Sequence, residues 1–420
     1  MDKFIIHGGM RLSGEVKTSG AKNATIALMP ATLLASGVSR LHNSPRLRDV
    51  TTMTRVLETT GEHIERRGDT LTIDSTNITS FEAPYEHVKK MRASIYVLGP
   101  LVARFGKAKV SLPGGCAWGP RPVNLHLEGL QKLGAEITLD GGYIVARAAR
   151  LRGTRISFDV SSVGATVNLM MAATLAQGTT ELHNAAIEPE VTAVAEFLEA
   201  MGAHIHGAGS SRLTIEGVDA LHAADYTNLP DRIEAGTFLI AGAITGGEIT
   251  VTHCNPAHLE SPLEKLQDAG CDISVSRDSI TLRAPDELRS VDLTTSPYPG
   301  FPTDLQAQWI ALMARSNDAS VITDTIYFDR FTHVPELVRL GANVEVTENT
   351  AVVRGVEHLR GAKVMSTDLR ASASLILAGL AAEGTTEVLR VYHIDRGYEE
   401  IEKKLRGLGA DIERTSGEEY

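Results

Sequence analysis

Residues 129–140 read GLQKLGAEITLD: an amphipathic run, a glycine at 134, then an alternation of apolar and polar residues. A glycine directly after a helical run fits the left-handed position that ends a helix. The alternation behind it has the period of a strand. The pattern recurs as VLETTGEHIERR (56–67), FLEAMGAHIHGA (197–208), KLQDAGCDISVS (265–276), LVRLGANVEVTE (337–348) and KLRGLGADIERT (404–415). The glycines stand at 61, 134, 202, 270, 341 and 409, separated by 73, 68, 68, 71 and 68 residues. A second landmark keeps phase with them: a small-residue run, a turn and a β-rich segment, as in LLASGVSRLHN (33–43), LAQGTTELHN (175–184), AITGGEITVTH (243–253) and LAAEGTTEVLR (380–390).

The unit is therefore a mixed αβ element of about 70 residues repeated six times, a period longer than that of common solenoids. Six units allow one ring or two lobes of three. YTNLPDRIEAGTF (226–238) follows the third unit and carries Pro230 ahead of a new helix. This places one lobe at 22–229 and the other at 1–21 plus 230–420, with a ligand cleft expected between lobes.

Composition narrows the function. The chain has 420 residues, 43% of them hydrophobic, and a formal net charge of −11. That charge argues against nucleic acid or an anionic membrane as the main partner. No apolar run reaches the roughly 18 residues of a membrane span. The opening MDKFIIHGGM has no signal-peptide pattern, and a cytoplasmic setting is expected. The three cysteines, Cys116, Cys254 and Cys271, fit neither a disulfide framework nor a zinc site. No metal motif and no nucleotide-cofactor motif stands in a suitable place, so no metal and no cofactor are expected.

Segments that break the repeat carry the candidate chemistry. SGAKNAT (19–25) puts Lys22 and Asn23 at a glycine-led turn into a helix, a setting for an anion. Arg92 heads an apolar helix in KKMRASIYVLGP (89–100). SSVGAT (161–166), with Ser162, Val163 and Gly164, is a second small-residue helix start. Asp304, in FPTDLQAQ (301–308), reads either as a capping residue or as a base. Arg330 lies among aromatics, Arg370 opens a helix against its dipole, and Arg396 stands just before another helix. Taken singly, each is more often structural. Together, Lys22, Arg92, Arg121, Arg330, Arg370 and Arg396 suit a small polyanion bearing phosphate and carboxylate. LPGGCAWGPRPVN (112–124) sets Cys116 near Arg121, and nearby cations favour a reactive thiolate. His126 lies ten residues on, in a helical pattern, and reads as packing rather than as the partner of a Cys–His dyad.

The stretches SGAKNA, MRAS, LGPLVARFG, SLPGGC, RPV, SVGAT, LPDRIEAGTF, HVPEL, TDLRASASL and YHIDRGYE resemble the enolpyruvyl transferases from end to end. The resemblance implies an inside-out α/β barrel of two lobes, each with three repeats. It implies transfer of the enolpyruvyl group of phosphoenolpyruvate to the 3-hydroxyl of UDP-N-acetylglucosamine, with release of phosphate. By the same resemblance Cys116, Asp304, Lys22 and Arg396 are catalytic: Cys116 protonates the methylene carbon and Asp304 takes the hydroxyl proton. Lys22, Arg121 and Arg396 hold the phosphate, Arg330 and Arg370 the carboxylate, and Arg92 closes a loop. The nucleotide-sugar falls to Asn23, Arg92, Arg121, Pro122, Val123, Asn124, Leu125, Ser162, Val163, Gly164, Asp304, Ile326 and Tyr327. Trp118, Asn124 and Tyr327 depart from the family pattern on the acceptor side. A paralogue acting on another uridine nucleotide such as UMP is the alternative, and a silent nucleotide-sugar binder a more distant one.

Overall fold

The computed structural model describes residues 2–89, 91–112 and 123–416. Cys116, Arg121 and Pro122, with Trp118 and Pro120, lie outside the described residues. The chain divides into two compact units, Met1–Ser19 with Pro230–Tyr420, and Gly20–Leu229.

The unit of residues 20–229 contains three four-stranded sheets of one design. Their central strands are Val38–His42, Lys107–Ser111 and Thr179–His183. Each has a short parallel neighbour on one side: Asp225–Thr227, Glu82–Ala83 and Arg155–Ser157 respectively. On its other side lies an antiparallel strand, Thr70–Asp74, Tyr143–Arg147 or Arg212–Glu216. Beyond that is the strand that follows the cap glycine, His63–Arg67, Glu136–Asp140 or His204–His206.

The other unit repeats the design around Glu248–Thr252, Ala319–Thr323 and Thr385–Leu389. Two of its sheets are completed by the start of the chain. Ser13–Lys17 is the parallel neighbour of Glu248–Thr252, while Asp2–His7 lies between Thr385–Leu389 and Asp411–Ser416.

Two kinds of helix go with these sheets. Arg48–Glu58 and Glu260–Asp268 bury one stripe and expose the other, as amphipathic sequences do. By contrast Arg232–Ile244, Gln306–Met313 and Leu369–Ala381 are buried almost all round and pack on one another. Their sequences are mostly apolar or small, with Glu234, Gln306, Gln308 and Arg370 as buried exceptions. Lys22–Ala31 and Val163–Ala173 are buried in the same way in their own unit. Small residues allow close approach: a Cβ at Gly236 would stand 2.6 Å from a Leu305 methyl, with helix Gln306–Met313 beginning at the next residue.

All six cap glycines have positive φ, from 91° at Gly341 to 107° at Gly61. A second left-handed residue closes four of the central strands: Asn43, Asn184, His253 and Arg390, at φ 54–57°. The LHN ending of two repeats is thus a backbone signal, since asparagine tolerates that region better than most residues.

Glu62 breaks the core pattern, replacing the alanine that follows the cap glycine in four other repeats. It is 4% exposed; Oε1 accepts from Ser75 and Thr32, while Oε2 has no hydrogen-bond partner among the described residues. Burial pushes its carboxyl up to about 8, and the two hydroxyl bonds and Arg104 offset only part of that cost. A carboxyl raised in the folded state holds its proton there after the unfolded chain has lost it. Its contribution is fully present below about pH 4.5 and is lost progressively up to about pH 8. Glu62→Gln should remove a slope of at most about 1.4 kcal/mol per pH unit across that window. Denaturant melts at pH 5.5 and pH 8 would show it, and parallel stability profiles for wild type and variant would refute it.

Candidate active site

Asp304 sits in the 3-10 turn Thr303–Leu305 that leads into Gln306–Met313. It lies in the first turn of that segment rather than at the cap position, which Pro302 holds. Its carboxylate is held instead between two guanidinium groups, with Oδ1 2.8 Å from Arg330 Nη2 and Oδ2 2.9 Å from Arg370 Nη2. Both arginines are buried, at 6% and 2% exposure. Desolvation works against their charge, but Asp304, together with Asp368 for Arg330 and Asp231 for Arg370, more than offsets it and raises both. The anion that Arg370 needs at its helix start is therefore a carboxylate of this chain.

A further layer fixes these groups. Arg330 Nη1 donates to Thr303 Oγ1, and Thr303 Oγ1 donates to Asp324 Oδ2. Asp324 Oδ1 accepts from Thr295 and from the backbone N–H groups of Ile326 and Tyr327, and so shapes the turn that carries Arg330. The Tyr327 ring lies 5.3 Å from the Arg330 guanidinium, within cation–π range. Asp368 caps the helix of Arg370, accepting from the N–H groups of Arg370 and Ala371. The buried ring of Tyr398 lies 5.3 Å from the Arg370 guanidinium, and its hydroxyl bonds Thr237 and Gln308. Arg370 Nε and Nη1, and both polar atoms of Gln306, are buried with no hydrogen-bond partner among the described residues. Arg396 ends the 3-10 turn Val391–Arg396, and the next helix begins only at Ile401. The expectation that it stands just before a helix is corrected by that spacing.

In the unit of residues 20–229, Lys22 is the first residue of Lys22–Ala31, and its Nζ lies 3.0 Å from Asp49 Oδ2. A cation at that helix end is unfavourable, and Asp49 offsets it. Asn23 is the one residue of this helix not fully buried. Arg92 opens a 3-10 helix, Arg92–Val97, before the α-helix Leu98–Phe105. Ser162 does cap Val163–Ala173, its hydroxyl accepting from Ala165 N–H. Val123 precedes helix Asn124–Lys132, which Asn124 and Leu125 begin; Asn124 Nδ2 donates to Glu128.

His126, which the sequence reads as packing, and His333 are buried beside two of the candidate arginines. His126 is buried beside Arg92; desolvation, then the Arg92 charge, pushes it down to about 3. Its Nδ1 accepts from Asn168 Nδ2, and its Nε2 would lie 3.2 Å from a Cβ at Gly164. A neutral ring thus closes on the turn 162–164. His333 is the counterpart behind Arg330, pushed down to about 3 by burial and by that arginine. No sequence motif marks either one. Asp368 was legible, because an aspartate directly before a helical run is a cap signature.

The structure thus brings together Asp304, Arg330 and Arg370 in one unit, with Tyr327 beside Arg330 and Ile326 bonded to Asp324 on the same turn. Within the other unit, Lys22 meets Asp49 and Arg92 meets His126. Among the described residues no group of three His, Cys, Asp or Glu side chains could hold a metal ion, and no helix is long and apolar enough to cross a membrane. Cys254 and Cys271 are buried, and desolvation raises their thiols to about 11 and about 12.

Known proteins with related sequence and structure fit this arrangement. Residues 6–405 match the family model of EPSP synthase (3-phosphoshikimate 1-carboxyvinyltransferase). The UDP-N-acetylglucosamine 1-carboxyvinyltransferase of Chlorobium chlorochromatii is 57% identical over 423 aligned residues, covering 100% of both chains. That of Chloroherpeton thalassium is 58% identical, covering 100% of this chain and 99% of its own. Among solved structures, the enolpyruvyl transferase NikO from Streptomyces tendae superposes with a TM-score of 0.89 at 29% identity, covering 99% of each chain. An EPSP synthase from Acinetobacter baumannii shares the fold with a TM-score of 0.77 at 17% identity, covering 99% of this chain and 100% of that one. The end-to-end family match, the full-length relatives and the shared fold lead to one conclusion: the chain belongs to the EPSP synthase family of enolpyruvyl transferases.

Proposed function

We infer that this chain transfers the enolpyruvyl group of phosphoenolpyruvate to the 3-hydroxyl of UDP-N-acetylglucosamine and releases phosphate, the first committed step of peptidoglycan synthesis. Full-length relatives named for that activity are 57% and 58% identical. The observation that carries the reading in this molecule is the carboxylate of Asp304 shared by two buried guanidinium groups.

The acceptor oxygen adds to C2 of phosphoenolpyruvate, and the methylene carbon takes a proton. The resulting tetrahedral adduct loses phosphate and a methyl proton to give the enol ether. In this scheme Cys116 gives the proton to the methylene carbon, can form a phospholactoyl adduct, and is the position an epoxide such as fosfomycin alkylates. Asp304 takes the proton of the sugar hydroxyl. Arg330 and Arg370 hold the donor carboxylate, and the buried Nε and Nη1 of Arg370, which have no hydrogen-bond partner among the described residues, support that role. A carboxylate arriving there shares the positive charge that now serves Asp304, so donor binding makes Asp304 a better base. Lys22, Arg121 and Arg396 hold the phosphate, and Arg92 closes the loop. Asn23, Arg121 to Leu125, Ser162 to Gly164, Ile326 and Tyr327 take the nucleotide-sugar.

The inside-out barrel reading, with lobes at 22–229 and at 1–21 plus 230–420, is supported by fully buried helices accompanied by three like sheets in each unit. UMP is the less supported reading of the acceptor, because the full-length relatives carry the UDP-N-acetylglucosamine name.

Phosphate release from phosphoenolpyruvate should require UDP-N-acetylglucosamine and should not occur with UMP; release with UMP alone would overturn the acceptor. An epoxide should label wild-type protein and not Cys116→Ser, since the raised thiols of Cys254 and Cys271 are poor nucleophiles. Label retained in the variant would remove Cys116 from its role. Asp304→Asn leaves two buried cations short of a carboxylate. It should lower stability by about 3 kcal/mol in denaturant melts and abolish turnover. Turnover at the wild-type rate would exclude Asp304 as the base.

A further inference from the structure

Arg414 breaks the inward pattern of its strand. It pairs across the sheet with Phe4, and the core side chain of Phe4 is fully buried. Residues directly opposite on paired strands point to the same face, so Arg414 also points toward the interior. Its guanidinium lies 4.9 Å from the Phe4 ring centroid. A cation in that position needs anions, and three carboxylates supply them. Asp395 takes a forked pair, with Oδ1 2.6 Å from Nη2 and Oδ2 3.1 Å from Nη1. Glu402 accepts from Nε at 3.0 Å, and Asp2 lies 3.6 Å from Nη1. Burial works against the charge of Arg414, but these partners raise it overall.

Asp395 immediately precedes Arg396 in the 3-10 turn Val391–Arg396. The segment is pinned at both ends by non-glycine residues in the left-handed region, Arg390 (φ 57°) and Glu400 (φ 47°). A turn of that kind has little intrinsic stability. The fork on Asp395 ties it to the C-terminal strand Asp411–Ser416, and the bond to Glu402 ties it to helix Ile401–Gly407. The fork also occupies both oxygens of the carboxylate next to Arg396.

We propose that Arg414 is a positioning residue for the donor phosphate: by holding Asp395 and Glu402 it fixes the turn that presents Arg396. This rests on the reading that Arg396 holds that phosphate. Arg414 itself touches no substrate.

The test measures KM for phosphoenolpyruvate, KM for UDP-N-acetylglucosamine and kcat by phosphate release, in the full chain. Arg414→Gln should raise the phosphoenolpyruvate KM by about tenfold, the scale of coupling within one charge network. It should leave the nucleotide-sugar KM within about twofold. Arg414→Lys, which keeps the charge, should recover part of the loss. Asp395→Asn should reproduce the donor effect, and Arg414→Gln should then add little to Asp395→Asn. If Arg414→Gln folds poorly, Arg414→Lys and Asp395→Asn still give the donor-selective KM. Arg396→Lys is the control for the underlying reading. A raised donor KM in Arg396→Lys with none in Arg414→Gln or Asp395→Asn overturns the positioning role and leaves the site reading intact. No change in Arg396→Lys overturns both. Equal rises in both KM values, or full additivity in the double variant, also overturn the proposal.

Discussion

A helix buried on every side must still satisfy its first N–H groups and the positive end of its dipole. Much of the placement of the candidate residues within each unit follows from that constraint. Ser162, Asp231 and Asp368 meet it with side-chain oxygens at the starts of Val163–Ala173, Arg232–Ile244 and Leu369–Ala381. Lys22 and Arg370 do the opposite and bring positive charge to a positive helix end. Each is then paired with a carboxylate from another helix start: Asp49, in the first turn of Arg48–Glu58, and Asp304, ahead of Gln306–Met313. Both cations are thereby held nearly dry. Guanidinium and ammonium groups held this way meet an anionic ligand without first shedding a full water shell.

The pairing also explains why a net charge of −11 is compatible with phosphoenolpyruvate, a small polyanion. Exposed acidic residues set the net charge, and solvent screens them. The arginines that matter sit below the surface, where each interaction is stronger. Arg370 shows the arrangement best. Nη2 is committed to Asp304, its backbone N–H to Asp368, and Nε and Nη1 remain.

Much of this was legible in the sequence, and the reasons are local. Gly134 and its five counterparts had to be glycine because the chain turns through positive φ at each. Asp368 and Ser162 stood where caps stand. The failures are equally physical. Asp304 stands in the first turn of its 3-10 segment, yet its partners lie 26 and 66 residues away in sequence, beyond any local pattern. His126 reads as packing and is buried, but the arginine beside it, like the one beside His333, cannot be read from an isolated histidine. Arg396 looked like the head of a helix because helical periodicity resumes soon after it, whereas the chain spends Gly397 to Glu400 turning.

The repeats themselves mark the positions that depart from structure toward chemistry. Four central strands end in a left-handed residue, Asn43, Asn184, His253 or Arg390, and this residue fixes the turn that follows. The other two strands, Lys107–Ser111 and Ala319–Thr323, are followed by Leu112 and Asp324, which lack that conformation. Those two continue into the segments that carry Cys116 and Arg330. At Asp324 the substitute is visible: one carboxylate gathers Thr295, Thr303, Ile326 and Tyr327, doing with a side chain what a backbone angle does elsewhere. A turn built on a carboxylate can be aimed at a neighbouring group, here the hydroxyl of Thr303 that meets Arg330, whereas a left-handed turn only reverses the chain. The repeat gives up its common solution where a side chain has to be placed.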